Sequence, residues 1–206
     1  LLFGKNADVT LDVYRTDFQN QVVVDVMQSP QQVLFYNLTG RSFANSVQLE
    51  FNYDFTTRFK MRSAYKMYDV QTDYLSGTFQ RPFQAQNRFF ANLEYETLPF
   101  LNSKQWRFDF TYNWIGKQQL PTTKTNPSND QFPEFSPAYS LMNTQITRVF
   151  SSVFEVYIGG ENIGNYTQSR AIIGNENPFG TSFDSSIVYA PIFGQMYYAG
   201  LRFTIK

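Results

Sequence analysis

Trp106-Arg107-Phe108-Asp109-Phe110-Thr111-Tyr112-Asn113-Trp114 is the stretch that decides the fold. Every even position is a large aromatic ring and every odd position is polar. Successive side chains of an extended strand point to opposite faces, so the segment predicts a strand with one aromatic face and one polar face. The same alternation extends in both directions. Upstream, Phe89, Ala91, Leu93 and Tyr95 oppose Arg88, Asn92, Glu94 and Glu96, and Phe59, Met61, Tyr65 and Met67 oppose Arg58, Lys60, Arg62 and Lys66. Phe43, Val47, Leu49, Phe51, Tyr53 and Phe55 share a face on which Asn45 is the one polar residue, and Val9, Leu11 and Val13 oppose Asp8, Thr10 and Asp12. Downstream, Phe154, Val156 and Ile158 oppose Glu155 and Tyr157, and Phe193, Tyr197, Ala199, Leu201, Phe203 and Ile205 oppose Gly194, Arg202, Thr204 and Lys206. An eighth, weaker strand covers 140–150, with Met142, Thr144 and Ile146 against Asn143, Gln145 and Thr147.

The 206 residues include 22 Phe, 14 Tyr and 2 Trp, yet the mean hydropathy is only −0.38. Many rings in a polar chain fit strands with two unlike faces. Equal numbers of basic and acidic residues, 17 of each, argue against a nucleic-acid partner, which demands a basic excess. The absence of Cys and His removes thiol nucleophiles, thiolate metal sites and the usual imidazole base. Outer-membrane phospholipases and proteases rely on His, so no catalytic residue is assigned. Acidic residues are not clustered at ligand spacing, so neither a metal site nor a cofactor is expected.

The longest apolar run, near Ile187 to Phe193 and broken by Pro191, falls far short of the ~20 residues of a membrane-spanning helix. The strands instead reach about ten residues, and their connections alternate in length. Short links sit near Thr56-Thr57, Leu98 to Lys104 and Ser151-Ser152; long ones run near 25–41, 71–82, 118–137 and 166–191. Tight turns on one side and long loops on the other are the pattern of antiparallel up-and-down outer-membrane β-barrels. A soluble sandwich or lipocalin-like barrel also alternates with period two, but its apolar face must be packed inside. So many rings are hard to fit into a small barrel and suit a lipid-facing band with aromatic girdles. The opening Phe3-Gly4-Lys5-Asn6 reads as a tight turn joining two strands, so the start looks internal to a longer protein whose precursor carries a signal peptide.

The end of the chain carries a resemblance. Tyr198, Gly200, Phe203 and Ile205 fit the terminal strand that the barrel-assembly machinery reads in outer-membrane barrels, where strand addition requires an extended, glycine-relieved, aromatic-tipped segment. Glu161-Asn162-Ile163-Gly164-Asn165-Tyr166 resembles the penultimate-strand motif of TonB-dependent outer-membrane receptors. Ile173 to Gly180, followed by Tyr197 to Arg202, is similar to the final loop and strand of that family, especially its Bacteroidetes members. Tyr14 to Val22 and Tyr36 to Gly40 match its strand-and-loop passages.

The resemblance implies that residues 1–206 are the last eight or so strands of a barrel of about 22, with the plug domain and TonB box outside this chain. A free-standing eight-stranded barrel, acting as a passive pore or envelope-complex component, is the alternative. In the first case the parent protein is an active importer in the outer membrane of a Gram-negative bacterium. Its partners are TonB, the lipid bilayer, possible lids formed by a surface lipoprotein, and a small-molecule or oligomeric substrate such as a siderophore, glycan, vitamin, peptide or metal chelate. Arg58, Lys60, Arg62 and Lys66 beside Glu94 and Glu96 predict cross-strand ion pairs and plug contacts, with a substrate conduit as the other reading. Tyr74, Phe79, Phe132, Phe135, Tyr166 and Phe183 in the long loops are the candidates for stacking on substrate.

Overall fold

A computed structural model describes residues 5–99 and 104–205. In chain order its strands are β1 (Ala7–Phe18), β2 (Val22–Asp25), β3 (Leu34–Asn37), β4 (Ser42–Thr56), β5 (Phe59–Tyr74), β6 (Gly77–Gln80), β7 (Asn87–Glu96), β8 (Gln105–Ile115), β9 (Tyr139–Val149), β10 (Phe154–Glu161) and β11 (Met196–Phe203). Eight of them form an antiparallel meander, β1-β4-β5-β7-β8-β9-β10-β11, with β1 and β11 at its edges. The short β2–β3 hairpin and β6, which pairs with β5, lie within the long links.

Register carries the alternation from strand to strand. Phe108 lies opposite Tyr95 on β7 and Ile146 on β9, while Asp109 lies opposite Glu94 and Gln145. Val9, Phe51 and Ser63 continue the apolar face across β1, β4 and β5, as Val156 and Leu201 do across β10 and β11. That face is uncovered on the interior strands as well as at the edges: Leu49 is 46% exposed, Tyr65 43% and Phe108 39%. A water-soluble domain does not leave such a contiguous apolar surface open. Trp106 and Trp114 stand at its two margins, eight steps apart, which is about 20 Å of height for a strand tilted by ~40°. This is the dimension of a membrane-facing band with an aromatic girdle on each side.

The turn at Thr57-Arg58 is held by Thr56 Oγ1, which accepts from the amides of Arg58 (3.2 Å) and Phe59 (3.0 Å). The expected turn beginning at Phe3 and most of the link between Leu98 and Lys104 lie outside the described residues, as does Lys206. The long links are less irregular than expected. β5 runs on through Gln71 to Tyr74 because Gly77, at φ 130°, folds β6 back onto it. The best-packed apolar cluster lies outside the wall altogether. Leu120, Ile173, Ile187, Tyr189 and Ala190, from the β8–β9 and β10–β11 loops, are buried together against Phe132, Tyr139 and Tyr166.

Candidate functional site

The polar face of the meander forms a charged wall, the lumen side of the implied barrel. Arg62 meets Glu94 across β5 and β7 at 3.3 Å. Arg107 on β8 reaches Glu96 at 3.4 Å and, across β9, Glu155 on β10 at 3.5 Å. Glu155 also pairs with Arg202 on β11. Lys60 is in register with Glu94, so the basic and acidic strands adjoin as their spacing suggested. Among the described residues no three acidic side chains converge as metal ligands do.

Nearer the loops, β2 and its flanking residues lie against the lumenal face of β1, β4 and β5 and line an open-mouthed cavity of about 540 Å³. Tyr14, Phe18, Tyr68, Tyr74 and Arg81 line it with the hydroxyls of Ser42 and Thr72, which lie 3.1 Å apart. Gln21 contributes a buried side-chain oxygen that no protein donor meets. The hairpin is anchored at Asp25, whose carboxylate accepts from the Met27 amide (2.8 Å) and the Tyr36 hydroxyl (2.9 Å). Tyr36 in turn accepts from the amide of Leu75 (3.0 Å), and burial raises its pKa, favouring the neutral phenol. An aromatic, hydroxyl-rich cavity with one cation suits a ligand that presents flat or polyhydroxylated surface.

The six loop aromatics divide among several settings. Tyr74 faces the cavity beside β2, whereas Phe79 and Phe132 share a second cleft of about 280 Å³ with Leu120 and Lys124. Phe132 also packs on Tyr189 and beneath the Arg170 guanidinium, 4.5 Å from its ring. Tyr166 stacks on Tyr139 at 4.9 Å, and Phe135 lies under the Lys117 ammonium at 4.6 Å. Phe183 stays 40% exposed beside the Ile173–Asp184 bridge. Phe132 and Tyr166 thus meet in one packed cluster, while Tyr74, Phe135 and Phe183 stand apart.

Side chains other than those six fix the loops. Gln168, buried, donates to the carbonyls of Arg170 (2.7 Å) and Ile187 (2.8 Å) and accepts from the amides of Tyr189 (2.9 Å) and Ala190 (3.3 Å). Burial holds the Tyr189 phenol above its ordinary pKa. In the Glu161–Tyr166 motif, Asn162 and Asn165 adopt left-handed backbone, φ 50° and 54°, which Asn tolerates better than most residues. The Asn162 amide side chain then bonds Tyr166 through both its oxygen (3.0 Å) and its nitrogen (2.8 Å), while Asn165 Oδ1 accepts from the Gln195 amide at 3.1 Å. The motif knots the start of the last loop to its end. In the terminal strand, Tyr157 covers Gly200 and Tyr198 covers Gly159, so a Cβ on either glycine would collide with a ring. Phe203 and Ile205 are exposed on or beside this sheet edge.

No protein-family model and no curated sequence matches the chain. Solved structures do, among them two outer-membrane import receptors. The ferric-catecholate import receptor Fiu from E. coli K12, in its closed form, superposes on 98% of this chain with TM-score 0.61 and 10% identity. The siderophore receptor PiuA from Acinetobacter baumannii superposes on 98% with TM-score 0.61 and 13% identity. The fold is that of an outer-membrane receptor barrel. The chain spans 26% of each receptor's length, and its sheet is an open arc of the wall rather than a closed cylinder.

Proposed function

We propose that this chain is the C-terminal part of the barrel of a TonB-dependent outer-membrane receptor, the family whose penultimate-strand motif Glu161–Tyr166 resembles, and of the Bacteroidetes type that Ile173 to Gly180 with Tyr197 to Arg202 resembles. The whole protein would import a scarce solute across the outer membrane of a Gram-negative bacterium, with energy delivered through TonB to a plug encoded outside this chain. The observation that carries this reading is the superposition of nearly the entire chain on a quarter of two import receptors. The open sheet edges support it, because backbone groups facing lipid must be paired, so β1 and β11 require flanking strands. In this reading the charged lumenal wall meets the plug, and the cavity beside β2 with the loop aromatics Tyr74, Phe79, Phe132, Phe135, Tyr166 and Phe183 contributes to the outer substrate surface. The barrel-assembly machinery would engage β11, and a surface lipoprotein would cover the loops.

Uptake tests the proposal. Cells expressing the full-length protein, given ferric catecholate as the first probe, should accumulate iron only while TonB is present. Accumulation undiminished by deletion of TonB would identify a passive pore instead.

A further inference from the structure

Among the described residues the outward face carries ionised groups only near its two margins, and the margins differ. On the loop side, Arg15 is paired with a carboxylate: Asp17 accepts from it at 2.7 and 3.0 Å, Asn45 accepts at 3.3 Å, and its guanidinium lies 5.0 Å from the Phe43 ring. Asp69, which accepts from Asn45 and Gln71, and Asp73 share this margin. On the turn side, register and parity place Lys5, Lys104 and Arg148 outward, with no outward carboxylate among the described residues. Glu96, Glu155 and Asp54 of that half all point to the lumen.

Arg148 is the most elaborated of the three cations. It sits directly opposite Trp106 on β8 and Val156 on β10. Its guanidinium lies 4.9 Å from the Trp106 ring and 5.7 Å from that of Phe150, both of which are exposed at the margin. Among the described residues no carboxylate comes within ion-pair distance of it. Rings on two sides hold the fork in place but do not neutralise its charge. Lys104 precedes Trp106 by two residues, in the same outward parity. A guanidinium at headgroup depth, framed by interfacial aromatics and lacking an acidic partner, matches a phosphodiester, whose paired oxygens accept from two N–H groups at once.

We propose that Arg148, between Trp106 and Phe150, binds the phosphate of a phospholipid headgroup in the leaflet on the short-turn side of the membrane. The proposal rests on reading the sheet as a lipid-facing wall. The lipid would fix the depth of the barrel at that margin, while the neutralised Arg15 side makes no equivalent contact.

Native mass spectrometry of the full-length, delipidated barrel tests this with added phosphatidylglycerol. Arg148→Leu removes the cation without placing a new polar group in lipid, and Arg148→Gln preserves more of the shape. Either folded variant should lose bound phosphatidylglycerol about five-fold or more, whereas Arg15→Gln should retain it. The wild-type protein should also hold phosphatidylglycerol at least about five-fold better than diacylglycerol with the same chains. Equal retention by wild type and both Arg148 variants, or of both lipids, would overturn the proposal, and competition by equimolar inorganic phosphate would reassign the site to a free anion. Insertion into bilayers is scored separately: a protein that fails to enter them overturns the membrane reading, whereas one that inserts but shows no Arg148 dependence overturns only the lipid site.

Discussion

The wall and the loops of this chain solve opposite packing problems. Along β8 the rings from Trp106 to Trp114 look outward, and the polar residues between them look into the lumen. In the loops the order is the usual one, with Ile173 and Ile187 sealed at 0% and 1% exposure. One chain therefore addresses two solvents. Its wall is stable where apolar surface meets lipid, and its loops behave as a small water-soluble unit whose core is their own.

The contrast breaks most sharply when a charge enters the lipid face. Phe110→Arg should cost ~2–4 kcal/mol of folding free energy near the bilayer midplane, read as loss of the heat-modifiable folded barrel from outer membranes. In the loops, Leu120→Ala should cost about 2–3 kcal/mol, but locally. The expected result is rapid proteolysis between residues 116 and 138 in a barrel that still resists heat in detergent. Asn162→Ala strips the Tyr166 backbone of both partners and should cost about 1–2 kcal/mol, seen as faster hydrogen exchange across 162–195. Smallest is the lumenal wall. Glu155→Gln weakens the pairs with Arg107 and Arg202, whose side chains are 45% and 64% exposed around a carboxylate that is 13% exposed, and should change stability by about 1 kcal/mol or less, with the difference shrinking at high salt.

The wall was legible because period two is local and every strand repeats it. Even the dissenter Asn45 finds its reason: it lies above the apolar band, between Arg15 and Asp69. β2, β3 and β6 were not legible, since four residues give too little alternation to register and their pairing depends on Asp25, Tyr36 and Gly77. The candidate site was read unevenly for a similar reason. Aromatic residues in long loops announce themselves, but a sequence does not say that Leu120 meets Ile173, or that Gln168 supplies three hydrogen bonds to the backbone of 187–190 and a fourth to that of Arg170. The Glu161–Tyr166 motif was visible as a resemblance, and its structural role as a loop knot emerged only with the left-handed Asn162 and Asn165.

The central claim is that the aromatic face of the sheet meets lipid. Spin labels placed one at a time at 106 to 114 in the full-length, membrane-inserted barrel address it directly, through collision with oxygen and with a water-soluble nickel chelate. The account predicts an alternation of period two, with oxygen favoured at 106, 108, 110, 112 and 114 and the chelate at 107, 109, 111 and 113. A profile without alternation, or chelate access at the even positions, would contradict it.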